Sequence, residues 1–183
     1  HVRSRRQRQM CIRDSYWSAI PPRAHGHSLP ELSAAVAILA ILSASALPSL
    51  INLATGAQQR AHSNAFIDAV RFARETAASN GEQIIVCPRG EKISCGSDWN
   101  SGWAVFNITA NKTKILREYV INDSAIRINA NRQKFVFQQH LRATNGSINF
   151  CSGQPAAHLK VIVSYTGKTT LTKAQNTETG GCY

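Results

Sequence analysis

The stretch Gly26-His27-Ser28-Leu29-Pro30-Glu31-Leu32, continuing from Ser33 through Leu47 to Pro48, decides how the chain is read. Between Glu31 and Pro48 every residue is Ala, Val, Ile, Leu or Ser, and apolar residues resume as Leu50, Ile51 and Leu53. Such a run predicts a helix that crosses most of a bilayer, which takes about 20 residues at ~1.5 Å each. Arg3, Arg5, Arg6, Arg8, Arg13 and Arg23 lie upstream and no cation lies within the run, an asymmetry that keeps the amino end in the cytoplasm. Glu31 is the odd residue. A carboxylate held deep in lipid costs on the order of 2.5–3.5 kcal/mol, so Glu31 belongs at an interface or against a positive partner. Pro48 removes one backbone donor and crowds the preceding turn, which loosens the helix there. The competing reading is a plain membrane anchor or an ordinary signal peptide. A signal peptide would be cut after the apolar run, where Ala44-Ser45-Ala46 stands, and not before it.

The length fits one domain plus an anchor. The net charge of +11 is unevenly placed: residues 1–26 carry +5, and the chain from Ser124 onward carries +6, with Glu178 its only acid. That basic third permits an acidic partner such as nucleic acid, and equally a solvated surface. Cys11 precedes the apolar run, which leaves Cys87, Cys95, Cys151 and Cys182 after it. An even set beyond a membrane predicts disulfides. Three connectivities are open, and proximity in sequence favours Cys87–Cys95 and Cys151–Cys182. The spacings are not those of a zinc ribbon, so no metal is expected. His62, His140 and His158 have no Ser or Asp in a recognisable order and no phosphate loop is present, which predicts neither catalysis nor a cofactor.

Past Pro48 a soft spot is expected over 52–56. From Ala61 to Ala78 the pattern turns amphipathic, with Ala65, Phe66, Ala69, Val70, Ala73 and Ala77 on one face. Ser79-Asn80-Gly81 stops it, Gly81 taking the left-handed cap. Short strands follow: Gln83–Cys87, Trp103–Thr109, Ile115–Ile121, Ala125–Ile128, Phe135–Gln138, Ser147–Cys151 and Leu159–Tyr165. Asn111-Lys112 reads as a turn and Arg89–Gly102 as a loop closed by Cys87–Cys95. Trp99 and Trp103 read as packing residues. One helix followed by many strands predicts an α+β fold. A long N-terminal helix, membrane-spanning in its first half and amphipathic in its second, packs on one or two antiparallel sheets.

The residues from Gly26 to Glu31 resemble the class III leader of type IV pilins and of the pseudopilins of type II secretion. Later landmarks are similar to the GspH/FimT branch of pseudopilins. They are Val86-Cys87-Pro88, Cys95-Gly96-Ser97-Asp98-Trp99, Gly102-Trp103-Ala104-Val105-Phe106, Ile115-Leu116-Arg117, Ile148-Asn149-Phe150-Cys151 and Ser164-Tyr165-Thr166-Gly167-Lys168. The likeness spans nearly everything from Gly26 to Lys168 and implies a pilin-like fold. It also implies that a prepilin peptidase cuts between Gly26 and His27 and that the new amine of His27, where the family has Phe, is methylated. Glu31 would be the assembly glutamate, pairing with that amine on a neighbouring subunit, and Pro48 the helix-loosening proline. The chain then divides into a basic leader (1–26), an apolar transmembrane and assembly helix (27–55) and a globular head (56–183). Met10 is the only methionine, and a start there gives a leader of the family's usual length.

The resemblance further implies a structural subunit in the bacterial inner membrane, with one pass and a periplasmic head, whose partners are other pilins or pseudopilins, the peptidase and the membrane. It is either a minor pseudopilin of a type II secretion system or a FimT-like minor type IV pilin that binds DNA non-specifically for uptake. FimT-like DNA binders share a Gly-Arg-x-Arg element. Here the matching residues are Gly167-Lys168-Thr169-Thr170, so Lys168, with Lys160 and Lys173, are the candidate DNA contacts. Lys lacks the bidentate fork that Arg offers to phosphate.

Overall fold

A computed structural model describes residues 26, 28–109, 112–122, 125–153 and 158–173. The helix α1 runs Leu29–Asn80, and two antiparallel sheets follow it. Of the described residues, those up to Ser43 and those from Ala44 onward belong to separate units, so each is described by itself.

In the first unit, α1 opens at Leu29 with Glu31 in its first turn. Its apolar window is long enough to cross a membrane and none of that window is buried. Leu32, Leu39 and Ile41 are 62, 61 and 70% exposed. Ser33 and Ser43 turn their hydroxyls back to the carbonyls of Pro30 and Leu39, so even the polar positions are satisfied within the helix.

In the second unit α1 continues to Asn80 with Pro48 inside it. The soft spot expected over 52–56 is absent, because the helix is unbroken there. A single Gly56 costs about 1 kcal/mol against Ala, and the helix formers on either side outweigh it. Thr55 also donates its hydroxyl to the Ile51 carbonyl at 3.0 Å. The helix ends as expected at Gly81, whose φ of 70° is left-handed and whose N–H closes on the Ala77 carbonyl at 3.1 Å.

Among the described residues nine strands follow: β1 Gln83–Pro88, β2 Gly102–Thr109, β3 Lys112–Val120, β4 Ile126–Ala130, β5 Phe135–Gln138, β6 Arg142–Ala143, β7 Gly146–Ser152, β8 Leu159–Val163 and β9 Thr169–Lys173. They form a five-stranded sheet in the order β3-β2-β1-β5-β6 and a four-stranded sheet in the order β4-β7-β8-β9. Every strand anticipated from the sequence is present within a few residues. Strands β6 and β9 were not anticipated. Of the expected Asn111-Lys112 turn, Lys112 belongs instead to β3 and Asn111 lies outside the described residues.

The core lies between the inner faces of both sheets and the second half of α1. Phe66, Val70, Ala73 and Ala77 of the helix are fully buried with Ile84, Val86, Trp103, Phe135, Ile148, Phe150 and Val161. Phe66 is central, with ring centroids 5.4 Å from Trp103, 5.7 Å from Phe135 and 5.9 Å from Trp99 in edge-on geometry. The two tryptophans are therefore packing residues, as read. Strand β1 is buried on both faces. Its outer face, with Ile85 and Cys87, joins Ala104 and Phe106 in a second, smaller cluster, which is why 83–87 reads as a continuous apolar run and not as an alternation.

Candidate assembly site

The site expected from the sequence is the start of α1. Glu31 stands in its first turn, where the helix dipole favours a carboxylate. Gly26 is exposed, while His27 lies outside the described residues. Pro48 sits inside the helix without ending it. Below Glu31 the exposed side chains are almost wholly apolar. An exposed apolar surface of this extent marks a membrane or protein contact.

The disulfide Cys87–Cys95 is formed, with Cα atoms 5.6 Å apart. It closes the loop after β1, which is held further by Gly96 N–H on the Pro88 carbonyl (2.8 Å) and Arg89 N–H on the Gly102 carbonyl (3.0 Å). Arg89 reaches across to an ion pair with Glu118. Cys151 is disulfide-bonded as well; its expected partner Cys182 lies outside the described residues.

The three lysines named as DNA contacts do not gather on one surface. In the β8–β9 register Lys160 pairs with Thr172 and Leu159 with Lys173. Paired residues share a face and neighbours alternate, so Lys160 and Lys173 leave opposite faces of the sheet. Lys168 is exposed in the β8–β9 turn, at the far end of both strands. There Gly167, with a left-handed φ of 73°, packs close beside the side chains of Arg74 and Phe137.

Sequence reasoning missed a polar seam on the helix. Gln59, His62 and Ser63 continue the buried face of α1 toward its amino end. The Gln59 amide donates to the Phe150 carbonyl of β7, and His62 Nδ1 lies 3.0 Å from the Tyr119 hydroxyl of β3. Tyr119 stacks on Trp103 at 4.5 Å. The helical spacing 59, 62, 63, 66 carried the signal, masked by the polarity of three of the four side chains. His62 is thus structural. His158 is buried and His140 is exposed, with a left-handed φ of 66°. Among the described residues no cluster of His, Cys, Asp or Glu is arranged to hold a metal.

Residues 62–167 match the model of a family described as type II transport protein GspH. The chain belongs to this family. The match begins at His62 in the buried stretch of α1 and ends at Gly167 in the β8–β9 turn, so it takes in most of the core of the GspH head. Solved structures of a similar fold include the type IV minor pilin FimU of Pseudomonas aeruginosa in two crystal forms. One has a TM-score of 0.52 at 14% identity, covering 63% of this chain and 88% of FimU. The other has 0.50 at 15% identity, covering 62% and 91%. The minor pseudopilin EpsH of the Vibrio cholerae type 2 secretion system aligns with a TM-score of 0.48 at 10% identity, over 60% of this chain and 92% of EpsH. No curated protein sequence matches the chain.

Proposed function

We propose that this chain is a minor pseudopilin, a structural subunit of the filament of a type II secretion system, anchored in the inner membrane until it is assembled. The observation that carries the reading is the fully exposed apolar start of α1 with a single carboxylate, Glu31, in its first turn. Joined to a GspH head, this is a segment suited to two environments in turn. Lipid covers it while the subunit waits, and the helices of neighbouring subunits cover it in a filament. Cleavage between Gly26 and His27 would leave a free amine within reach of a neighbour's Glu31, so that the buried carboxylate gains a partner and sets the register of addition. The chain has no catalytic part in this reading.

The experiment replaces the gene by one encoding Glu31→Ala and follows the chain and the secreted proteins. The variant is expected to stay in the inner membrane, to be missing from sheared filaments and to stop secretion, with DNA uptake unchanged. Normal incorporation of the variant sinks the charge-pairing account. Intact secretion in a strain lacking the chain sinks the secretion role.

A further inference from the structure

Cys151 and His158 are buried on the side of the four-stranded sheet that faces away from the core. Ile148 and Phe150 of β7 point into the core, and side chains alternate along a strand, so Cys151 points to the outer face. The β7–β8 ladder ends at the pair Phe150↔Leu159. Leu159 packs on the core, so His158, the residue before it, leaves the outer face as well, one step past that pair and across from Cys151. Side chains directly opposite in an antiparallel ladder have Cβ atoms about 4.5–5.5 Å apart. Both residues are closed off from water: Cys151 is 3% exposed and His158 7%.

The face around them is positive. Arg127 of β4 is the partner of Cys151 on its other side, and Lys160 of β8 is the partner of Asn149, two residues before Cys151. All of these side chains leave the same face of the sheet. The four strands themselves hold no Asp or Glu. Cys151 is held in a disulfide, while Nδ1 of His158 is buried without a hydrogen-bond partner. Buried polar atoms are almost always paired, so an orphan of this kind calls for a cause. Here the ring stands beside a sulfur that is uncharged only as long as the disulfide holds. An opened disulfide supplies what the ring and the two cations lack, an anion among them.

We propose that the Cys151 disulfide is a thiol–disulfide exchange site for a dithiol reductant, with His158 as the residue that receives the Cys151 thiolate. Cys151 is buried, so the incoming thiolate attacks the partner sulfur, which the sequence expects to be that of Cys182. A mixed disulfide forms there, the original S–S bond breaks, and its electron pair leaves with Cys151. The second thiol of the reductant then displaces the partner cysteine. The dithiol is oxidised to its disulfide and the protein disulfide is reduced. Of the two protons that the dithiol gives up, one ends on the partner thiol and one on the His158 ring, whose N–H then faces the Cys151 thiolate. A leaving sulfur stabilised as a thiolate departs faster, and a stabilised reduced form makes the disulfide easier to open. Cys87 has no such neighbour: it packs with Ile85, Ala104 and Phe106 in the smaller apolar cluster. The Cys87–Cys95 bond is therefore an internal control in the same chain.

The test titrates the full chain in detergent with dithiothreitol at neutral pH, quenches with an alkylating agent and reads each disulfide separately by peptide mass spectrometry. In His158→Phe, which keeps a ring of similar size, the equilibrium constant for opening the Cys151 disulfide is expected to fall at least tenfold, or about 30 mV for this two-electron couple. The Cys87–Cys95 disulfide is expected to stay where it is in the parent. The reduced parent chain is also expected to show ultraviolet thiolate absorbance at neutral pH that is missing from Cys151→Ser. An unchanged constant at Cys151 in His158→Phe overturns the assignment. So does an equal shift of both disulfides, which would mean that the substitution only loosens the head. Where the phenylalanine chain does not fold, the absorbance still decides: a reduced parent without a Cys151 thiolate at neutral pH overturns the inference.

Discussion

Two residues carry more of the head than their number suggests. Phe66 is fully buried and meets Trp99, Trp103 and Phe135 edge-on, so it ties the helix to the strands and to the turn at Trp99. Phe66→Ala leaves a cavity that rigid aromatic neighbours cannot fill. We expect a loss of about 3–5 kcal/mol, read as a lower denaturant midpoint for the detergent-solubilised chain. Gly102 acts through the backbone. Its φ is 103°, and a Cβ there would run into the Tyr119 carbonyl of β3. Gly102→Ala is expected to destabilise the chain by at least ~2 kcal/mol, since both strain and the clash with a backbone atom oppose it. A midpoint equal to that of the parent would show that the β2–β3 pairing yields locally. The place of Phe66 was legible in the helical period of 61–78. That of Gly102 was not, because a positive φ inside a strand-loop junction leaves no mark beyond the glycine itself.

At the scale of elements, α1 and the central strands were legible because burial writes a period into the sequence. Strand β9 was missed for the opposite reason. It lies at a sheet edge, with Leu171 as its one large apolar residue and that residue 41% exposed, so Thr169–Lys173 shows no apolar alternation. The division into two sheets was equally hidden: it depends on which strands pair across long sequence separations, as when β1 takes β5 as its second neighbour. The expected soft spot at 52–56 failed because one glycine among helix formers does not end a helix. The loop after β1 gives a prediction of its own. Cys87 and Cys95 are separated by 8 residues, and closing so short a loop stabilises the fold by about 2–3 kcal/mol on the chain-entropy account. The double change Cys87→Ser, Cys95→Ser is expected to lower the unfolding free energy by that amount, read as a lower denaturant midpoint. Arg89 and Glu118 are then expected to lose their order, seen as faster exchange at the amides of 89–96. An unchanged midpoint would place the loop's stability in its backbone hydrogen bonds.

At the scale of the whole molecule, what decides between a DNA-binding subunit and a purely structural one is how the charge is arranged, not how much there is. The carboxyl-terminal third carries +6, enough to suggest a phosphate-binding face when read along the sequence. Folding disperses it. Lys160 and Lys173 leave opposite faces of the four-stranded sheet and Lys168 sits at the other end of the hairpin. Arg127 and Arg132 lie by the β4 edge, three strands away from β9 in the sheet order. By register Arg127 and Lys160 share one face of the sheet and Lys173 leaves the other, so a polyanion running along one face does not meet all of these cations. Affinity for duplex DNA falls with salt with a log–log slope near −0.9 per phosphate neutralised. We therefore expect weak binding by the full chain with a slope between about −1 and −2, and little change on Lys168→Ala. The measurement is a titration against DNA at several salt concentrations in one detergent. A slope steeper than about −5, flattened by Lys168→Ala, would mean that the cations converge in a way the sheet register does not show. The head would then be a DNA-binding surface in its own right. A shallow slope leaves the basic groups as dispersed local contacts.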